Sequence, residues 1–206
     1  MPDNVVYVID DDELVRTSIA ALLGTMDLSV REFDSAEGFL DWLPPSPRGI
    51  IVTDLRMLGM SGLDLVEVLV ERKCHLPVIV VTAHADVPLT VRLMQSGVVT
   101  VLEKPYSSEE LNAAVHEALA LEATAAPVAK RTREAEKRLK TLSEGEIDVL
   151  RLVRDGRLNK EIASELKVSM RTVENRRSNV LKKMQVDSVP ELIRILSLTE
   201  EFSETP

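Results

Sequence analysis

Asp54 closes the run Ile50-Ile51-Val52-Thr53 and is followed by Gly59, Ser61 and Gly62. Apolar and β-branched residues ending in a carboxylate and glycines predict a buried parallel strand that delivers Asp54 to its C-terminal end. In an open α/β sheet that edge is where ligands bind. Three other apolar runs end in polar residues of the same kind: Val5 to Ile9 in Asp10-Asp11-Asp12, Val78 to Val81 in Thr82, and Val99 to Leu102 in Glu103-Lys104-Pro105. If these strands are parallel neighbours, Asp10, Asp11, Asp54, Thr82 and Lys104 meet at one crevice. Clustered carboxylates repel and call for a cation. Mg²⁺ suits them, because it takes a few carboxylates, keeps several waters and accepts a phosphate oxygen. A hydroxyl from Thr82 and an ammonium from Lys104 would complete a site for phosphoryl transfer to Asp54.

The elements that must position these residues alternate along the chain. Glu13 to Met26 places Leu14, Val15, Ile19, Leu22, Leu23 and Met26 on one helical face, with Asp12 as its cap. Ser29 to Phe33 reads as a strand, and Ser35-Ala36-Glu37-Gly38 opens a short helix that stops before Pro44-Pro45-Ser46-Pro47. Helices over Leu63 to Arg72 and Val87 to Ser96 flank the Val78 strand, and Ser107-Ser108-Glu109-Glu110 starts another that runs through Leu111, Val115 and Leu119. Strands alternating with helices imply right-handed crossovers and a doubly wound α/β sheet.

These four motifs, spread over the first 120 or so residues, resemble the receiver domains of bacterial two-component response regulators. The resemblance implies a flavodoxin-like five-stranded sheet of order 2-1-3-4-5 and phosphorylation of Asp54 by a histidine kinase. It implies Mg²⁺ held by Asp11, Asp54 and the backbone carbonyl of Arg56, with Asp10 in support. It also implies phosphate contacts from Thr82 and Lys104, a cis Lys104-Pro105 bond, and no catalysis beyond transfer to the chain's own aspartate.

The 206 residues suit two domains, and a hydrophobic fraction of 45% suffices for packed cores. A single cysteine, Cys74, excludes an intramolecular disulfide and reads as a packed thiol. The amino terminus carries Asp3 and no basic leader, and no run of about 18 apolar residues occurs, so a cytoplasmic protein that does not span a membrane is expected. The net charge of -9 would argue against nucleic acid, but it is unevenly placed. Residues 1–120 hold 8 basic and 19 acidic side chains, whereas residues 138–197 hold 13 and 9. The acidic front is thus joined to a mildly basic back.

Residues 122–137, Ala-rich around Pro127 and then charged, read as a partly helical linker between a domain over 1–121 and another over 138–206. A short dimeric coiled coil is the alternative, with Val128, Ala135, Leu139 and Leu142 as its only candidate seam. Beyond it Ser143-Glu144-Gly145-Glu146 forms a capping-box pattern, and Ile147, Leu150, Leu152 and Val153 give the next helix its core face. Asn159 to Leu166, the turn Lys167-Val168-Ser169 and a helix over Met170 to Met184 have helix-turn-helix spacing. On that third helix Arg171, Glu174, Asn175, Ser178 and Lys182 share a polar face. A solvated surface would explain them; the local basic excess and side chains suited to base edges favour the major groove.

Leu142-Ser143-Glu144, Asn159-Lys160-Glu161-Ile162-Ala163 and Arg171-Thr172-Val173-Glu174 with Lys183-Met184 resemble the LuxR-type DNA-binding domain. The chain is thereby similar end to end to response regulators of the FixJ/NarL type. Carried over residue by residue, base contacts fall at Arg171, Glu174, Asn175 and Ser178, and phosphate contacts at Lys160, Thr172, Arg176, Arg177 and Lys182. Glu174 repels phosphates and would serve by accepting from a cytosine amino group. The helix begun by Ser188-Val189-Pro190-Glu191, with Leu192, Ile193, Ile195 and Leu196, would be a dimerisation surface, or else a core helix. Promoter DNA, RNA polymerase and a second copy of the chain are the implied partners beside the kinase. Three positions depart from the family pattern: Leu58 stands where Pro is usual, Val101 where an aromatic is common, and Arg176 where His is common. They bear on how phosphorylation is coupled to dimerisation.

Two rival functions are weighed against this one. An aspartyl-phosphate phosphatase would need a second carboxylate two residues beyond Asp54, and Arg56 stands there. A constitutive DNA-binding regulator with a phosphorylation-independent dimeriser remains as the alternative. His75, His84 and His116 lack metal-ligand spacing, and aromatics at 3% are too few for a single-strand stacking platform.

Overall fold

Four of the chain's five predicted strands are stretches in which Val and Ile crowd both faces, a composition stable only when the strand is covered on both sides. The computed structural model, which describes residues 5–199, bears this out for three of them, while β5 at the sheet edge is only half-buried. The strands β1 (Val5–Ile9), β3 (Ile50–Asp54) and β4 (Val78–Thr82) are buried along their whole length. With β2 (Ser29–Phe33) and β5 (Thr100–Glu103) they form one parallel sheet of order β2-β1-β3-β4-β5. Asp54 pairs with Val81 and Thr82 with Glu103, so the polar strand ends lie side by side. Asp3, and the last seven residues of the expected 138–206 domain, fall outside the described residues.

The crossover helices cover the sheet: α1 (Glu13–Gly24), α2 (Ala36–Trp42), α3 (Gly62–Glu71), α4 (Val87–Gln95) and α5 (Ser108–Leu139). Local chemistry fixes their starts. Asp12 accepts from the amides of Leu14 and Val15, Ser61 and Asp64 form a capping box, and Asp86 accepts from Leu89 N. One layer of core holds Ile51, Leu65, Val80 and Leu93, together with the rings of Tyr7, Phe33, Phe39 and Trp42. Those rings pair at 5.2–6.5 Å between centroids. The other layer packs Val8, Ile19, Val52 and Val81 against Leu111 and Val115. Leu14, expected on the core face of α1, is instead 82% exposed. It lies in the first turn beside the Asp12 cap, whereas Ile19 and Leu23 further along the helix pack into the core.

The chain divides into two compact units, Met1–Pro127 and Val128–Pro206. Residues 122–137, expected to be only partly helical, are helical throughout as part of α5, with Pro127 inside the helix. Proline removes one amide and leaves the carbonyl of Ala123 without its helical donor. Ala123 and Pro127 are both exposed, so water can satisfy that carbonyl. The alanines around Pro127 favour helix strongly enough to carry it across.

The second unit contains α6 (Glu144–Arg154), α7 (Asn159–Glu165), α8 (Met170–Met184) and α9 (Val189–Leu196). Val149, Val153, Ile162 and Val173 form one apolar cluster, and Ala135, Leu139, Leu142, Leu150, Val180, Met184, Leu192 and Leu196 another. Ala135, Leu139 and Leu142 therefore pack inside this unit, where the coiled-coil alternative would need them for a second chain. Leu192 and Leu196 are buried in the same core, with Ile193 and Ile195 packed against it, so α9 is the core helix of the two alternatives. Val149 is buried as well, and so is Glu146, which sequence periodicity did not single out.

Glu146 Oε2 accepts from the Ser143 amide at 2.8 Å and from Lys183 Nζ at 2.7 Å. Burial pushes the Glu146 carboxyl up, but Lys183 and Ser143 outweigh it and hold the carboxyl below the usual glutamate range. A depressed folded pKa stabilises above the unfolded value and loses that contribution as pH falls through the folded one. Glu146→Gln should therefore cost about 1–2 kcal/mol at neutral pH, given that Lys183 is partly exposed. In urea titrations the difference from wild type should shrink as pH drops below the ordinary glutamate range.

Candidate functional site

The carboxyl ends of β1, β3, β4 and β5 converge as the strand pattern requires. Asp10, Asp54 and Thr82 are buried there, and Lys104 is half-buried. Lys104 Nζ lies 2.6 Å from Asp54 Oδ1 and 3.4 Å from Asp10 Oδ2, so one ammonium serves two carboxylates from different strands. Burial pulls the Lys104 ammonium down, but its bonds to Asp54 and then Asp10 prevail and hold its pKa above the usual lysine value. For Asp10, burial prevails over the Asp12 amide and Lys104, and its carboxyl is held above the usual range. Local backbone completes the arrangement: Asp10 Oδ1 accepts from Asp12 N at 2.9 Å, and Asp54 Oδ2 from Arg56 N at 2.6 Å.

The chain behind Asp54 is shaped to fit. A Cβ on Gly62 would stand 2.4 Å from the Asp54 carbonyl oxygen, so only glycine lets α3 start so close to the strand end. Gly59 has φ of +81° and lies against Glu37, whose Oε1 accepts from Met60 N at 2.8 Å. The Lys104-Pro105 bond is cis.

Two members of the expected set point elsewhere. Exposed Asp11 accepts from the Leu58 amide at 2.9 Å through Oδ2. Thr82 donates to His84 O at 3.1 Å and accepts from His84 N at 3.2 Å. Among the described residues, no three His, Cys, Asp or Glu side chains gather closely enough to hold a metal ion. The three acids thus do not cluster as expected, because Lys104 takes two of them and a backbone amide takes the third. Their donors nevertheless fit Mg²⁺, which needs only one or two carboxylates and keeps several waters. Three acids against one ammonium also leave the crevice short of positive charge.

In the second unit the structure divides the expected nucleic-acid set. Arg171, Glu174, Asn175, Ser178 and Lys182 are exposed on one side of α8, and Lys160 is exposed at the start of α7. Thr172, Arg176 and Arg177 are half-buried and engaged within the domain. Thr172 Oγ1 lies 2.8 Å from the capping hydroxyl of Ser169. The Arg176 guanidinium covers Gly145, where a Cβ would meet it at 2.6 Å, and Arg177 Nη1 donates to Asn159 Oδ1 at 2.5 Å. Helical spacing could not separate these arginines from Arg171, since their partners lie on α6 and α7.

A doubly wound sheet with an acid, hydroxyl and ammonium at its switch edge, followed by a basic helix-turn-helix, defines a receiver coupled to a DNA-binding module. Comparison with known proteins agrees. Residues 6–116 match the family model described as response regulator receiver domain, and residues 140–196 match that of bacterial regulatory proteins of the luxR family. The chain is 45% identical to the transcriptional regulatory protein FixJ of Azorhizobium caulinodans, over 96% of this chain and 94% of that one. It is 37% identical to the response regulator protein TodT of Pseudomonas putida, over 98% and 88%. Among solved structures, the response regulator StyR superposes with a TM-score of 0.72 at 35% identity, covering 95% of this chain and 98% of that one. Full-length FixJ from B. japonicum gives 0.57 at 36%, covering 96% and 98%. The chain belongs to the response-regulator family, in its FixJ-like branch of transcriptional regulators with a LuxR-type DNA-binding domain. A receiver implies a histidine kinase partner and a LuxR-type domain implies DNA. Among the described residues no helix is long and apolar enough to cross a membrane.

The split on α8 has a measurable consequence. Arg177→Ala should destabilise the second unit by about 1–2 kcal/mol, because it strips a partly buried charge-assisted bond. Arg171→Ala should stay within about 0.5 kcal/mol of wild type while weakening DNA binding. Chemical denaturation beside a DNA-binding titration separates the two.

Proposed function

We propose that this protein is a transcriptional regulator switched by Mg²⁺-dependent phosphorylation of Asp54. The observation that carries the reading is the Lys104–Asp54 contact at 2.6 Å, an ammonium resting where a phosphoryl oxygen would need it. Asp54 attacks the phosphorus of a phosphohistidine on the partner kinase, the P–N bond breaks, and an aspartyl phosphate forms. Bound at Asp11, Asp54 and the Arg56 carbonyl, with Asp10 in support, Mg²⁺ would neutralise the carboxylates and orient the transferred group. Lys104 follows the new charge from the carboxylate to a phosphoryl oxygen. The Thr82 hydroxyl exchanges His84 O for another. The chain's own chemistry ends there, since Arg56 stands where a phosphatase would carry its acid.

The modification adds a charge of about -1.5 to -2. Its readout is a dimer face on α4 and β5. Val87, Val91 and Met94 recur on α4 at helical spacing and are 76%, 47% and 49% exposed, an apolar stripe that a second copy would cover. Two α8 helices then occupy successive half-sites about one DNA turn apart. Arg171, Asn175 and Ser178 read bases, Glu174 accepts from cytosine, and Lys160 and Lys182 hold phosphates. RNA polymerase is the partner on the promoter, and the cytoplasm is the compartment that joins kinase to DNA.

Acetyl phosphate with Mg²⁺ should label wild type, convert it to a dimer and tighten promoter binding by about tenfold or more at fixed salt. Asp54→Asn should take up no label and bind DNA equally with and without the donor. A wild-type promoter response retained in that variant would favour the constitutive alternative.

A further inference from the structure

The β3–α3 loop carries the Arg56 carbonyl and is held from outside at two points, each a carboxylate accepting a backbone amide. Asp11 Oδ2 takes Leu58 N–H at 2.9 Å, and Glu37 Oε1 takes Met60 N–H at 2.8 Å. The first bond exists only because residue 58 has an amide hydrogen, which proline at that position would remove. The Leu58 side chain is 83% exposed and contributes no core contact, so the residue acts here through its backbone. Asp10 and Asp54 are meanwhile bound to Lys104. Asp11 instead reaches across from the end of β1 to the Leu58 amide, and the described carboxylates do not meet around a common point.

We propose that the Leu58 amide is a metal-affinity determinant: it competes with Mg²⁺ for Asp11, so that metal capture releases one of the loop's two fastenings. This rests on the reading of Asp11 as a metal ligand. Without metal, Leu58 N–H and Glu37 together pin the loop. With metal, Asp11 turns to the ion, the Leu58 N–H goes to water, and the loop keeps its Glu37–Met60 fastening, which uses no metal ligand. An amide bonded to a charged acceptor resists transfer to water, so this bond lowers the affinity for the ion. It also makes the conformation of the loop a report of metal occupancy before any phosphoryl group arrives.

The test is a Mg²⁺ titration of the full-length ¹⁵N-labelled protein, following the amide resonances of Asp54, Leu58 and Met60. Leu58 and Met60 should both begin downfield and protected from exchange. Saturation with Mg²⁺ should cut the protection of Leu58 about fivefold and leave Met60 unchanged. Leu58→Pro should bind Mg²⁺ about three- to tenfold more tightly, and Leu58→Ala, which keeps the amide, within about twofold of wild type. In Asp11→Asn the same Mg²⁺ concentration should leave Leu58 bonded. A shift at Asp54 with Leu58 still protected would overturn the proposal and leave the metal reading standing. No Mg²⁺-dependent change at any of the three would overturn both. The wild-type resonances decide the matter even if the proline variant folds poorly.

Discussion

One ammonium between two buried acids is the constraint on which the carboxyl edge of the sheet depends. Asp10 and Asp54 leave adjacent parallel strands, β1 and β3, at the same level, and each would be costly to bury with its charge unpaired. Lys104 reaches both from the far side of the sheet, at the end of β5, two strands away from β3. The positions of β3 and β5 on either side of β4 are therefore tied to chemistry as well as to packing. A single lysine cannot satisfy two acids fully. Asp10, at 3.4 Å, keeps its raised pKa, while the shorter bond goes to Asp54. The crevice is left under-neutralised, the condition in which a divalent cation and then a phosphoryl group are welcome.

The same economy of charge organises the second unit with a different result. Lys183 and Arg177 are drawn inward, to Glu146 and Asn159, and Arg138 donates to the carbonyl of Met184 at 3.0 Å. These cations tie the helices together and hold α8 in place. The cations left on its outer face, Arg171 and Lys182, are the ones available for an anionic partner. The basic excess that distinguishes this third of the chain is thus divided between holding the recognition helix and presenting it. Counting charges along the sequence cannot make that division.

What was legible in the sequence follows from where the determinants lie. Strands β1, β3 and β4 were readable because Val and Ile fill both faces and because a polar residue ends each run. The caps at Asp12 and Ser143 were readable because they act within three residues of their targets. Partners from distant elements were not readable. Asp11 with Leu58, Glu37 with Met60 and Glu122 with Arg48 each join segments more than twenty residues apart, and no local pattern marks them. Leu14 was misplaced, and the two readings of α9 stayed open, for a related reason. Periodicity identifies an apolar face, but not whether the sheet edge, a neighbouring helix or solvent lies opposite it. The helix through Pro127 shows the propensity of the surrounding alanines prevailing over the break a proline usually makes, at a place where the freed carbonyl of Ala123 is exposed.

Were Asp54 phosphorylated as proposed, α4 would be the element to respond, because that side of the sheet is held unequally. Thr82 ends a fully buried strand, whereas the next residues run over the surface to Asp86, the cap of α4. Leu93 is the buried residue of that helix, and its stripe of Val87, Val91 and Met94 faces water. A helix held by so little apolar contact has a low free-energy cost of displacement compared with α3, which buries Leu65, Val66 and Leu69. If the Thr82 hydroxyl exchanged His84 for a phosphoryl oxygen, as proposed, both bonds that tie His84 to the strand end would be lost. The loop to Asp86 would then move at the expense of the element that resists least. Val101, half-buried on β5 and packed in the same core layer as Leu93, is too small to lock that movement as an inward-turned ring would. A phosphorylation switch of the kind proposed would therefore rest on the loop and on whatever covers α4, and less on a side chain filling the space behind it.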